Sequence, residues 1–278
     1  MTKAIPIPQF AFIIGSMKSG TTYLFSLLAQ HPEVSACSIK EPEYFVVDYY
    51  KNKSIDEYFK LWDFNHDKHK VAIEASTSYT KRPQFANAAE TIEASGVNAK
   101  FIYLMRDPVK RIESQVAMSR CFGWEVFDKD KNIHSNALSV SMYHFQISEY
   151  YKRFPSEDIL LLSFEEFTAN PKPILKQVCK FLNIDDSFQF HIKKGSVHKS
   201  TVYLYQNTPI VKNVFGISSY EAYLNFLANN KDSLKSRLLI WYLSRISKLK
   251  QSQIKCINQK LEKDLQKLKT DYGFEIYK

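Results

Sequence analysis

Glycine is scarce, at 7 in a chain of 278 residues, so two glycines close together stand out from the background. Cysteine is scarcer still. The 4 cysteines, Cys37, Cys121, Cys179 and Cys256, are scattered, and no pair has metal-ligand spacing. That count in this length is not a disulfide scaffold, and the thiols are expected to be reduced. No run of about 18 apolar residues occurs, which excludes a membrane-spanning helix of the usual kind. Residues 1–9 carry two prolines and no apolar stretch of signal-peptide length, so a cytoplasmic protein is expected. Internal repeats, low-complexity linkers and nucleic-acid-binding motifs are also missing.

What is present is enough for a large α/β domain. Apolar residues make up 45% of the chain and aromatic residues 14%. The net charge of +9 suits an anionic ligand without choosing one. Strands and helices alternate along the sequence. Buried strands are expected at Phe10-Ala11-Phe12-Ile13-Ile14, Val71-Ala72-Ile73-Glu74, residues 99–105 and residues 159–164, with a short one near residues 34–38. Helices are expected from Thr21, within residues 51–70, over 84–95, from Pro108, over 139–154 and over 171–182. Such alternation predicts a parallel sheet with helices on both faces. Residues 218–268 read as helical, rich in leucine, lysine and serine. Leu234, Leu238, Leu239, Trp241, Tyr242, Ile246 and Leu249 form a basic amphipathic face that can touch an acidic membrane surface or pack on the main domain, for which Leu261, Leu265 and Leu268 offer a partner stripe.

The chain is organised around residues 10–24. A buried strand breaks into Gly15-Ser16-Met17-Lys18-Ser19-Gly20, and a helix follows from Thr21-Thr22-Tyr23-Leu24. The first N–H groups of a helix have no partner within it, and its dipole favours negative charge there. Lys18 adds a cation; Ser19, Thr21 and Thr22 add short donors. This is an anion cradle. It is not the Walker loop, because no lysine follows Gly20. A nucleotide kinase or NTPase would need Gly-Lys-Ser/Thr and a metal-binding aspartate at a strand end, for which Asp107 is the one tempting residue.

Two further segments carry chemistry. Strand 99–105 runs into Arg106-Asp107-Pro108, the proline suiting the first helical position. An arginine there can grip a phosphate through two N–H groups, and Ser114 lies two helical turns further on. Ile39-Lys40-Glu41-Pro42-Glu43 is a charged loop backed by Tyr44 and Phe45. His66 and His69 flank Asp67 but have no third ligand nearby, and they are expected at the surface.

Lys18-Ser19-Gly20-Thr21-Thr22-Tyr23-Leu24 resembles the 5′-phosphosulfate loop of sulfotransferases that use 3′-phosphoadenosine 5′-phosphosulfate (PAPS). Arg106-Asp107-Pro108 with Ser114 resembles the 3′-phosphate site of the same enzymes. Lys40-Glu41 followed by aromatics resembles the acceptor-side loop of the carbohydrate, heparan sulfate-type members. Glu74-Ala75-Ser76-Thr77-Ser78-Tyr79 resembles the segment lining their acceptor cleft. Lys193-Lys194-Gly195-Ser196-Val197-His198-Lys199 resembles their late loop over the nucleotide, with Ser196 where an arginine is usual.

The resemblance implies one domain over residues 1–278, with a P-loop-like α/β core at about 10–199 and a helical part at about 200–278. It implies sulfuryl transfer from PAPS to a hydroxyl of a carbohydrate or glycoconjugate, with 3′-phosphoadenosine 5′-phosphate (PAP) released and no metal required. Glu41 would be the general base, with Glu43 and Glu74 as rivals, and Lys18 the partner of the leaving phosphate. Cofactor contacts would come from Lys18, Ser19, Gly20, Thr21, Thr22, Tyr23, Arg106, Ser114, Lys194, Gly195, Ser196, Val197 and His198. Lys40, Glu74 and Ser76 would touch the acceptor. Residues 120–138 would form an insertion over the cleft mouth.

Overall fold

The computed structural model describes residues 7–46, 54–122, 126, 133–192, 233–234 and 248–276. Five strands form one sheet: β1 (Phe10–Gly15), β2 (Val34–Ala36), β3 (Val71–Ala75), β4 (Ala99–Met105) and β5 (Ile159–Ser163). Their order is β2-β3-β1-β4-β5, and all four pairings are parallel. Phe10 stands opposite Ala72 on one side and Ala99 on the other. The expected parallel α/β sheet is what the chain forms. The order reverses direction at β1, so the loop leaving its carboxyl end lies at the topological switch point, where open α/β sheets bind ligands.

Helices connect the strands: α1 (Thr21–Leu28), α2 (Ile55–Phe59), α3 (Ala88–Ala94), α4 (Pro108–Phe122), α5 (Ser135–Ser139), α6 (Tyr143–Tyr151), α7 (Phe164–Ala169), α8 (Pro171–Leu182) and α9 (Gln251–Tyr272). A 3₁₀ turn, Thr77–Thr80, follows β3. The helices expected within 51–70, over 84–95 and over 139–154 are real but shorter. Among the described residues the first keeps only Ile55–Phe59, because Asn65 and His69 close a turn instead, with Lys68 N and His69 N both donating to Asn65 O. Within the expected insertion over 120–138, α4 runs on to Phe122 and α5 begins at Ser135.

The chain divides into two compact units. The first comprises residues 1–107, 142–197 and 263–278; the second comprises 108–141 and 198–262. In the first unit, side chains alternate across the sheet. Phe10, Phe12, Phe101 and Tyr103 enter a cluster with Tyr58, Trp62, Tyr79, Tyr143, Tyr150 and Leu268. Ala11, Ile13, Ile102 and Leu104 enter another with Leu24, Leu27, Leu28, Leu175, Val178 and Leu182. Of Leu261, Leu265 and Leu268 on α9, Leu268 enters the first cluster and Leu265 packs against it, while Leu261 is buried. In the second unit, Arg111 of α4 is fully buried. It donates to Ser141 Oγ and Ala137 O, both at 2.6 Å, and so ties α4 to α5. Glu113 accepts from Lys248 Nζ at 2.8 Å and from Leu249 N at 3.3 Å.

Of the apolar face expected at residues 234–249, Leu234 and Leu249 lie among the described residues; Leu234 is exposed and Leu249 is buried. No helix among them is long and apolar enough to cross a membrane.

Candidate active site

Three segments meet the carboxyl ends of the central strands. The first is the loop after β1. Ser16 N donates to Leu104 O at 2.7 Å and Ser19 N to Ser16 O at 3.1 Å; the Ser16 and Ser19 hydroxyls bond at 2.6 Å. These bonds use the buried serines to shape the loop, leaving Lys18 half-buried at its turn with φ 72°. Gly20 precedes α1 with φ 85°, and a Cβ there would lie 2.9 Å from the Phe164 ring. Glycine is therefore required both by conformation and by the ring beneath it. Of the helix's first residues, Thr22 is exposed, Thr21 is buried, and Tyr23 turns inward onto Phe167, with ring centroids 5.3 Å apart.

Arg106 leaves the end of β4 and closes on this loop. Its Nη1 donates to Lys18 O at 3.1 Å, and its guanidinium sits 4.6 Å above the Phe164 ring. Tyr143 Oη of α6 donates to Arg106 O at 2.6 Å, and Asp107 N donates to Glu165 Oε1 at 3.2 Å. The structure thus brings Lys18 and Arg106 together. Ser114 is buried on α4 in the second unit. Residues 194–198 lie outside the described residues.

The third segment is the loop after β2. Glu41 has φ 58° and Glu43 φ 53°, a left-handed turn around the buried Pro42. Each such non-glycine residue costs about 1–2 kcal/mol and persists only where its surroundings hold it. Two bonds from the end of β3 hold it here. Glu41 N donates to Ala75 O, and Glu43 N donates to Ser76 Oγ, both at 3.1 Å. Tyr44 and Phe45 then bury their rings against Tyr58, with centroids 4.6 and 5.0 Å away. The Glu41 carboxylate is about a third exposed and pairs with Lys40 Nζ at 2.5 Å. Glu43 accepts from the Ser78 hydroxyl, to which Lys81 Nζ donates at 3.1 Å.

Glu74, expected at the acceptor, is fully buried instead. It accepts from the Tyr58 hydroxyl and from Ser76 Oγ, the latter at 2.6 Å. Burial pushes its carboxyl up to about 7 against the hydrogen bonds of Ser76, Tyr58 and Tyr79, and the Glu43 charge adds to the rise. Ser76 is likewise buried, lying between Glu74 and the loop.

Reading the sequence alone misses Phe164, which underlies both Gly20 and Arg106, and the tyrosines behind the loops. Aromatic residues at helical spacing signal packing; nothing in their spacing shows where a hydroxyl will end. The buried thiols of Cys37 and Cys179 take no part here. Burial pushes Cys37 up to about 12 and Cys179 to about 11. Among the described residues no three His, Cys, Asp or Glu side chains group to hold a metal.

This geometry can be set beside known proteins. The kil1 protein of Dictyostelium discoideum, a membrane-associated sulfotransferase, is 37% identical over 123 residues, covering 42% of this chain and 24% of that protein. Heparan sulfate glucosamine 3-O-sulfotransferase 3A1 of Mus musculus is 26% identical over 208 residues, covering 68% of this chain and 50% of that protein. The chain spans half or less of the length of these relatives. A solved sulfotransferase from Alicyclobacillus acidocaldarius has the same fold, with TM-score 0.56 at 20% identity over 79% of this chain and 100% of that one. The sulfotransferase domain family matches residues 8–213, a span that takes in all three segments at the strand ends, and the chain belongs to that family.

Proposed function

We propose that this chain transfers a sulfuryl group in line from PAPS to a hydroxyl of a carbohydrate or glycoconjugate, with Glu41 as general base and Lys18 beside the leaving phosphate. The observation that carries it is the pairing of two loops at neighbouring strand ends: a cationic one after β1, closed by Arg106, and an acidic one docked on β3. The donor set suits the nucleotide. Residues 16–22 contain a lysine, four hydroxyl side chains and a helix N-terminus, and no carboxylate. Such a set favours an anion.

PAPS when bound supplies the sulfuryl group and a phosphate able to leave with the S–O bonding pair. Lys18 and the first N–H groups of α1 stabilise the charge gathering on that phosphate oxygen. Arg106, with Ser114 assigned by its spacing, orients the nucleotide through the 3′-phosphate. Glu41 takes the proton of the attacking hydroxyl. Lys40 Nζ donates to Glu41 and holds that carboxylate toward the acceptor. The carbohydrate acceptor rests on the Lys40-Glu41 pattern and on the heparan sulfate relatives.

Calorimetry tests the nucleotide, and mass spectrometry the transfer. PAP is expected to bind far more tightly than AMP. Arg106→Ala should remove most of that preference, about 2–5 kcal/mol. PAPS with heparan sulfate oligosaccharides should give products heavier by one sulfuryl group, with EDTA present or absent. Equal affinity for PAP and AMP, or turnover that EDTA abolishes and magnesium restores, would overturn the reading in favour of phosphoryl transfer.

A further inference from the structure

Behind the acceptor-side loop lies a buried carboxylate with no part in the transfer just described. Glu74 receives the Tyr58 hydroxyl from α2, the Ser76 hydroxyl from the end of β3 and a hydrogen bond from Tyr79 of the 3₁₀ turn. Ser76 faces two ways. Its oxygen accepts Glu43 N–H at 3.1 Å while its proton goes to Glu74 at 2.6 Å. A hydroxyl has one proton and two acceptor positions. The direction of the Ser76 hydroxyl, and with it what Glu43 N–H meets, therefore depends on Glu74.

We propose that Glu74 is a positioning residue of the transfer site: through the Ser76 hydroxyl it holds the Glu43 backbone, and so fixes the left-handed turn over residues 41–43 that presents the Glu41 carboxylate. The proposal rests on the assignment of Glu41 as general base. Ionised, Glu74 takes three donors at once, a state suited to a carboxylate, which only accepts. Protonated, it becomes a donor, and Ser76 or a tyrosine must turn away. The loop then loses part of what holds two residues in a left-handed conformation.

The groups facing Glu74 are Tyr58 from α2, Tyr79 from the 3₁₀ turn, Tyr150 from α6, Cys37 after β2 and Glu43 in the loop. Burial and the Glu74 charge push the three tyrosines and Cys37 well up, so they stay neutral at physiological pH. Glu74 is the member of this cluster whose raised carboxyl, at about 7, changes charge there. The turn is held tightly above that pH and less tightly below it.

The test follows the Glu43 amide by ¹⁵N NMR between pH 6 and 8 in the parent, Glu74→Gln and Ser76→Ala. In the parent the Glu43 resonance should shift with a midpoint near 7. Both substitutions should abolish that shift, while in Ser76→Ala the Glu74 carboxyl carbon still titrates. With PAPS and heparan sulfate oligosaccharides, Ser76→Ala should lower kcat roughly 10–10²-fold and leave the Kd for PAP unchanged. A purely structural role for Ser76 would weaken PAP binding as well and leave no pH-dependent signal at Glu43. The proposal is overturned if the parent Glu43 amide is flat across this range, or if its shift survives in Ser76→Ala. Should Glu74→Gln fail to fold, Ser76→Ala decides. A parent that shows the Glu43 shift but transfers no sulfuryl group would sink the function proposed above and leave the Glu74–Ser76–Glu43 coupling standing.

Discussion

One face of the parallel sheet is covered by rings and the other by aliphatic side chains. Phe10, Phe12, Phe101 and Tyr103 face Tyr58, Trp62, Tyr79, Tyr143 and Tyr150; Ile13, Ile102 and Leu104 face Leu24, Leu27, Leu175, Val178 and Leu182. Both faces are buried. They differ in what reaches the strand ends. Tyrosine hydroxyls on the ring face run to Glu74, to Arg106 O and to Tyr79 O. A buried hydroxyl needs a partner, and here the partners lie in or beside the segments of the proposed site. Leu175, Val178 and Leu182 of the aliphatic face have no such handles and act on stability, whereas Phe164, packed on the same face, underlies Gly20 and Arg106.

The largest expected effects separate a loop docked on the ring face from the aliphatic face. Glu41→Gln keeps shape and polarity and removes the proposed proton acceptor, so the chemical step should slow by roughly 10²–10⁴-fold. Its denaturation midpoint and PAP affinity should match the parent. Leu175→Ala deletes a buried aliphatic side chain that is 1% exposed. It should lower unfolding free energy by about 2–5 kcal/mol and leave PAP affinity of the folded protein unchanged. Single-turnover kinetics, urea unfolding and calorimetry on both variants test the division. A Leu175→Ala protein that unfolds normally but binds PAP poorly would break it.

The division also explains what could be read from the sequence. The apolar runs at 10–14 and 99–105 are legible as buried strands because a parallel sheet covered on both faces needs no polar alternation. A cation, a glycine turn and a strand-end arginine in that order mark Lys18, Gly20 and Arg106, and the fold brings these three together. Glu41 is legible as a charged residue in a loop. Its left-handed turn is not, since the bonds that hold it come from Ala75 and Ser76, far along the chain. Glu74 misleads for the same reason. A glutamate at a strand end looks available to a ligand until Tyr58, 16 positions earlier, covers it.

A middle-sized effect sharpens the contrast through pH. The Glu74 carboxyl is raised in the folded protein to about 7 from its ordinary 4.5. Between those values the unfolded chain has released this proton while the folded chain keeps it. Glu74 therefore makes stability fall as pH rises through that window, by at most about 1.4 kcal/mol per pH unit, with no further change above it. Glu74→Gln should lack this component, so the difference between its stability–pH curve and the parent's should rise from pH 5 to 7 and level off. No group in the aliphatic cluster titrates there, so Leu175→Ala should run parallel to the parent across the same range. Parallel curves for Glu74→Gln and the parent would show that the carboxyl is not raised.

The smallest effect is the most discriminating, because it compares two substitutions of equal weight. Tyr143→Phe keeps the ring and removes the hydroxyl that donates to Arg106 O at 2.6 Å. The loss should be about 0.5–1.5 kcal/mol of stability, the net worth of one hydrogen bond. Ile174→Val removes one methylene from the aliphatic face, where Ile174 is 8% exposed, and should cost about 0.5–1.5 kcal/mol. Urea unfolding alone would not tell the two apart. Calorimetry with PAP should. Tyr143 fixes the backbone of Arg106, whose guanidinium reaches Lys18 O, so freeing that backbone loosens the cation and the loop it closes. PAP should bind Tyr143→Phe several-fold more weakly, with AMP affected less because it lacks the 3′-phosphate assigned to Arg106. Ile174→Val should bind both nucleotides like the parent. If the two variants bind PAP alike, the hydroxyls of the ring face serve only to satisfy buried groups, and the two faces differ in composition but not in what they do.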